Sequence, residues 1–244
     1  MTGPLACRRH GLRDAPEEPG ADVLVRHGTR RRSSAHVRLH QSRRLPEGPG
    51  LLAPVPRAVA DAARRTPELA AVRALVLAAL ADGRAGLEEL SAERDDGESR
   101  GRAHLTTAVR DAGRGARSAP EAEAADALLA LPDGVLPPFV LNPRLVLEGR
   151  LLGVPDGYLP GTGLGWEVDS VRHHGSSRDL AATLDRHARF ADAGVELLHV
   201  VPAVLRREPA AWARQVAARA AHRRASGRGD PDGLEVVLTG PLLR

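Results

Sequence analysis

Asp156 closes the run Val154-Pro155-Asp156. Glu167 follows eleven positions later within Trp166-Glu167-Val168-Asp169-Ser170, and His174 stands five residues beyond Asp169. Carboxylates are hard oxygen donors, and neighbouring strands lie only about 5 Å apart. An Asp at the end of one strand and a Glu-x-Asp on the next can therefore share one divalent cation across a hairpin. Such an ion polarises a phosphoryl oxygen and lowers the pKa of bound water, and a nearby histidine can move a proton. In an extended strand Glu167 and Asp169 point to one face while Trp166 and Val168 point to the other. The segment thus separates a polar face from an apolar one that a flanking helix would cover.

Each of these residues also has an ordinary reading. Pro-Asp-Gly is a common turn sequence, and it occurs here at 132–134, 155–157 and 231–233. The middle copy differs in having a strand-like run before it and the acidic pair after it. His173 and His174 can be surface histidines. Glu121 lies three residues after Ser118, the spacing of a capping box at a helix start. His199 falls in the apolar run Val195–Val201 and is expected to pack there. Arg178, Asp179, Asp185 and Arg189 are expected to pair on a helix surface.

The elements that must position these groups follow from periodicity. Residues 1–54 are read as a disordered or truncated segment, with a short strand at Val37–His40. The texture is helical from 55 to 115, with candidates at 57–65, 67–82, 87–94 and 104–112. Leu69, Val72, Leu75, Val76 and Leu80 supply the clearest three-to-four spacing. The Gly/Arg-rich stretch Gly113–Arg117 marks a boundary. Over 116–225 the order is a helix to about Leu131, then strands at 139–141, 145–147, 151–154 and 163–168. A helix over 178–193, a strand over 195–201 and a helix over 209–224 follow. That order predicts an α/β sandwich around a mixed sheet flanked by helices. Residues 226–244 are expected to be a flexible tail, although Leu234–Leu238 can form a strand.

Composition limits the function classes. Aromatic residues make up only 2% of the 244, so Ala, Leu and Val must do most of the packing. All 35 basic residues are arginine, which fits the codon bias of a GC-rich bacterial genome. Seven arginines, three histidines and no acid lie between Val25 and Arg44, and seven arginines against one Glu lie between Pro202 and Arg228. Such clusters suit contact with phosphates. The single cysteine, Cys7, excludes an internal disulfide and a cysteine-rich zinc site. With no apolar run of membrane-span length, the protein is expected to be soluble and cytoplasmic.

Residues from about Arg117 to Pro209 resemble a Vsr-like endonuclease domain of the PD-(D/E)XK restriction-endonuclease-like superfamily. The resemblance rests on Arg117–Glu121, Val154–Tyr158, Trp166–Ser170 with His174, and Arg186–Arg189 through Ala193-Gly194-Val195. It implies a restriction-endonuclease-like fold and a metal-dependent DNA endonuclease using Mg2+ or Mn2+. Asp156 and Glu167 would be the metal ligands, with Glu121 completing the shell. Asp169 would stand where the superfamily usually has lysine, and His174 would serve acid/base chemistry. The 37–65 stretch resembles segments that follow a winged helix in abortive-infection antitoxin-type relatives. The alternative is a non-catalytic DNA-binding or antitoxin-like regulator that retains the nuclease fold.

Overall fold

The computed structural model describes residues 1–46, 51–96, 101–169 and 177–244, with the backbone alone over 177–183. The chain is an α/β protein that divides into two units within and beside the Gly/Arg-rich stretch. One holds residues 1–113 and 117–119, the other 114–116 and 120–244.

The first unit contains helix α1 (Gly3–Arg9), the parallel strands β1 (Ala21–Arg26) and β2 (Val37–Ser42), and helices α2 (Val55–Ala63), α3 (Leu69–Ala81), α4 (Leu87–Asp96) and α5 (Arg102–Gly113). Its core joins Cys7 of α1 to Val59, Leu75, Val76, Leu90 and Leu105 of the later helices. The expectation of a disordered segment at the amino end is therefore corrected. Pro4 suits a first helical turn, and the small side chains Ala6 and Cys7 fit between helices where larger ones would not. The Thr2 amide donates to the Asp22 carbonyl and its hydroxyl to Asp61. The 55–115 stretch is accordingly the core of a unit rather than a linker.

The second unit opens with helix α6 (Ala119–Leu129) and carries two sheets. Strands β3 (Val140–Leu141), β6 (Gly157–Leu159), β7 (Leu164–Val168) and β8 (Glu196–Val200) form a mixed sheet in the order β3-β6-β7-β8. The first two pairings are antiparallel and β7–β8 is parallel. Strands β4 (Arg144–Leu147), β5 (Arg150–Gly153) and β9 (Leu234–Val237) form a second, antiparallel sheet in the order β5-β4-β9. The expected flexible tail is thus corrected too. Leu234–Val237 pairs with β4, and Leu243 bridges Phe139.

Side-chain alternation gives the mixed sheet two distinct faces. On one, Tyr158 and Val140 pack with Phe190 of helix α7 (Ser177–Asp192) and with Val195. On the other, Trp166 is fully buried, with its ring edge-on to Phe139 at 5.4 Å and to Trp212 of helix α9 (Pro209–Ala225) at 6.2 Å. The expectation that a helix covers the Trp166 face holds. Helix α9 is pinned by Arg223, which donates to the carbonyls of Thr162 and Gly194 and pairs with Glu196. The short helix α8 (Pro202–Arg207) leads into it.

Candidate functional site

The β6–β7 hairpin brings the first two acids together. Gly157 pairs with Trp166, so Asp156 is placed opposite Glu167. One Asp156 carboxylate oxygen accepts the Val168 N–H at 2.7 Å, which anchors the side chain to the neighbouring strand.

The middle Pro-Asp-Gly is not the turn that its sequence suggests. Gly134 and Gly233 adopt the left-handed φ values of turn glycines, +80° and +75°. Gly157 instead begins a strand, with the Trp166 indole packed onto its Cα. A Cβ there would fall 1.9 Å from an indole carbon. Only glycine permits that approach. The packing of Trp166 thereby fixes the strand position immediately after Asp156.

Glu121 joins the group from helix α6. It is buried, and its carboxylate accepts the Asn142 side-chain amide at 2.6 Å. Asn142 follows β3 at φ +50°, a left-handed conformation that Asn tolerates better than most residues. Its backbone N–H donates to the Asp156 carbonyl at 3.1 Å. Asn142 therefore ties Glu121 to the Asp156 strand.

Three carboxylates now share a partly desolvated space, and their ionisation responds. Burial, followed by the negative charge of Glu121, raises the Asp156 pKa from 3.8 to about 7, against the opposing Val168 N–H. Glu167 also adds to that rise, while Arg186 opposes it. Burial likewise lifts Glu167 above the ordinary carboxylate range, with the charges of Arg186, His199 and His187 opposing it. The site as it stands carries more negative charge than its surroundings solvate.

Helix α7 brings the counter-charge. Arg186 places one guanidinium nitrogen 2.5 Å from Glu167 Oε1 and donates to the Val154 carbonyl at 2.7 Å. His187 Nε2 lies 3.8 Å from Glu167 Oε2. His187 precedes the buried Phe190 by one helical turn, so both project from the helix face that covers the sheet. On β8, His199 stands in register with Glu167, and its Nδ1 lies 3.2 and 3.4 Å from the two oxygens of Asp169. The rings of His187 and His199 are 4.1 Å apart, centroid to centroid.

The expected residues are thus distributed unevenly. Asp156, Glu167 and Glu121 converge, and Asp169 lies on the Glu167 side, engaged with His199. His174 and Ser170 lie outside the described residues. The expectation that His199 packs in a buried strand is corrected, because it stands at an exposed position. Arg186, His187 and Asn142 were not marked as site residues by their spacing. A helical pattern placing His187 three residues before an inward-facing Phe190 was the available signal. Among the described residues, Glu167, His187 and His199 form a group whose ligand atoms all lie within 4.8 Å of one another.

The arginines of the 202–228 cluster are partly committed. Arg206 pairs with Glu123, Arg207 with Glu208, and Arg219 and Arg223 with Glu196. Arg38 and Arg44 of the earlier cluster likewise pair with Asp22, Glu18, Glu93 and Asp96. Among the described residues, no helix is long and apolar enough to cross a membrane. Comparison with protein-family models, with curated proteins and with solved structures gives no match for this chain.

Proposed function

We infer that the second unit is a metal-dependent DNA endonuclease of the restriction-endonuclease-like kind. The observation that carries this reading is the burial of Asp156 beside Glu121 and Glu167, which raises its pKa to about 7 and calls for a cation. The donor set fits the ion. Three carboxylates on a hairpin and a helix supply the hard oxygens that Mg2+ or Mn2+ takes, and Asp156 and Glu167 would hold it with Glu121 assisting. When bound, the ion supplies Lewis-acid polarisation of a phosphodiester and a more acidic water.

The chain's own residues complete the reading. Val168 N–H and Asn142 hold Asp156 and Glu121 in place, so the ligands are fixed before substrate arrives. Arg186 brings a cation to the carboxylates in a chain that has no lysine. His174 keeps the proton-transfer role that the resemblance gives it. Exposed arginines of α9 would contact backbone phosphates without reading sequence. Plasmid nicking in Mg2+ or Mn2+, compared between wild type and Asp156→Ala, tests the proposal.

One observation favours the second reading, a DNA-binding regulator that does not cut. The Arg186 guanidinium already sits against Glu167 and can take the place of a metal as its counter-charge. In that case DNA binding is salt-dependent but indifferent to metal and to Asp156→Ala.

A further inference from the structure

We propose that Glu167, His187 and His199 form a binding site for a zinc-class transition-metal dication, with Asp169 positioning the His199 ring. This donor set differs from the all-carboxylate group of Asp156, Glu121 and Glu167. Two imidazoles and one carboxylate suit Zn2+, Co2+ or Ni2+ and disfavour Mg2+, which takes oxygen ligands.

The geometry supports an ion at this point. The three ligand atoms already lie within 4.8 Å of one another. His187 Nε2 and Glu167 Oε2 are 3.8 Å apart, too far for a hydrogen bond. That spacing is close to the edge of about 3.4 Å between two ligands of a tetrahedral ion with bonds of about 2.1 Å.

An unmet polar atom points the same way. Glu167 is only 6% exposed, and Arg186 engages its Oε1 at 2.5 Å, which leaves Oε2 toward the histidines. His187 Nε2 is sealed from solvent and has no hydrogen-bond partner. Buried polar atoms are normally satisfied, so this orphaned nitrogen 3.8 Å from a carboxylate oxygen marks a place for a ligand.

The surrounding shell is that of a metal site. Asp169 engages His199 at Nδ1. Accepting the hydrogen bond of an Nδ1–H there fixes the tautomer and leaves Nε2 with the free lone pair, as carboxylates do behind metal-bound histidines. Glu167 and His199 come from adjacent parallel strands in register, so their spacing is set by the sheet. Three protein ligands leave a position for water or substrate, the pattern of a reactive rather than a purely structural zinc site.

The site shares Glu167 with the endonuclease reading but does not depend on it, since His187 and His199 are outside the carboxylate trio. The test is titration of the metal-stripped full-length protein with Co2+, followed by its visible d–d absorption, with Zn2+ and Mg2+ as competitors. Wild type is expected to bind Co2+ with an intense band that Zn2+ removes and millimolar Mg2+ does not. His187→Ala and His199→Ala each weaken binding by more than about tenfold, and Asp169→Asn by roughly 10–100-fold. Glu235→Gln, at an exposed acid of β9 outside both sites, retains wild-type Co2+ affinity, and circular dichroism checks that each variant is folded. Wild type that fails to bind Co2+, binding that survives His187→Ala, or displacement by Mg2+ would overturn the proposal. Co2+ binding without DNA nicking would sink the endonuclease reading and leave this site standing.

Discussion

Asp156 and Val168 are joined across the β6–β7 hairpin by a carboxylate–amide hydrogen bond of 2.7 Å. The bond holds Asp156 toward Glu167, while burial and then the Glu121 charge raise its pKa to about 7. A carboxyl raised in the folded state binds a proton that the unfolded chain, with its ordinary value of 3.8, releases earlier. Its contribution to stability is complete below about pH 4 and is lost as pH rises through about 7. The loss is on the order of 2–4 kcal/mol. Melting curves from pH 4 to 8 should show this decline in wild type and a flatter profile in Asp156→Asn. Saturating Mn2+ should restore stability at pH 8 in wild type but not in the variant.

Gly157 predicts a second outcome. Gly157→Ala places a Cβ 1.9 Å from the Trp166 indole, which is locked between Phe139 and Trp212. Overpacking of this kind costs about 1–3 kcal/mol and more where neighbours cannot move. Gly134→Ala, which has open space but a left-handed φ, should cost less. Denaturant unfolding of the two variants checks the order.

The alternation of Trp166, Glu167, Val168 and Asp169 was legible because side chains in a strand alternate faces whatever surrounds them. The hairpin from Asp156 to Glu167 was legible for the same reason. What escaped depends on distant partners. Asn142 carries no local signal of its bonds to Glu121 and Asp156. His187 meets His199 only because α7 folds back over the sheet. Helix α1 is only seven residues long and ends in two arginines, and its stability comes from burying Ala6 and Cys7 among helices much later in the chain. Strand β9 was legible as a possible strand but not its pairing with β4, and β6, three residues long and beginning with glycine, does not stand out by propensity.

In the first unit, Arg73 and Asp111 form an ion pair at 2.8 Å, with side chains 4% and 3% exposed. Arg110 also approaches Asp111 at 3.3 Å, but from a half-exposed position, so Arg73 is the buried cation of the pair. Arg73→Ala should therefore destabilise the protein by about 2–3 kcal/mol, while the double change Arg73→Met, Asp111→Leu should cost less. Equilibrium unfolding of the single and double variants measures both.

The arginines of α9 should divide into two groups. Arg214 and Arg224 are exposed, so each alanine substitution should weaken DNA binding and lower the salt slope by about 0.9. Arg223 is buried and holds Thr162, Gly194 and Glu196, so Arg223→Ala should lower the melting temperature instead. Binding isotherms across a salt series, alongside thermal melts, separate the two effects.

On the endonuclease reading, the carboxylates around Asp156 hold a metal ion used to cut DNA. Its most direct test is nicking of supercoiled plasmid by purified protein in Mg2+ or Mn2+. The expected result is metal-dependent conversion to open circles that chelator abolishes and Asp156→Ala reduces by at least about a hundredfold. Absence of cleavage in either metal, or cleavage undiminished in folded Asp156→Ala, would contradict it.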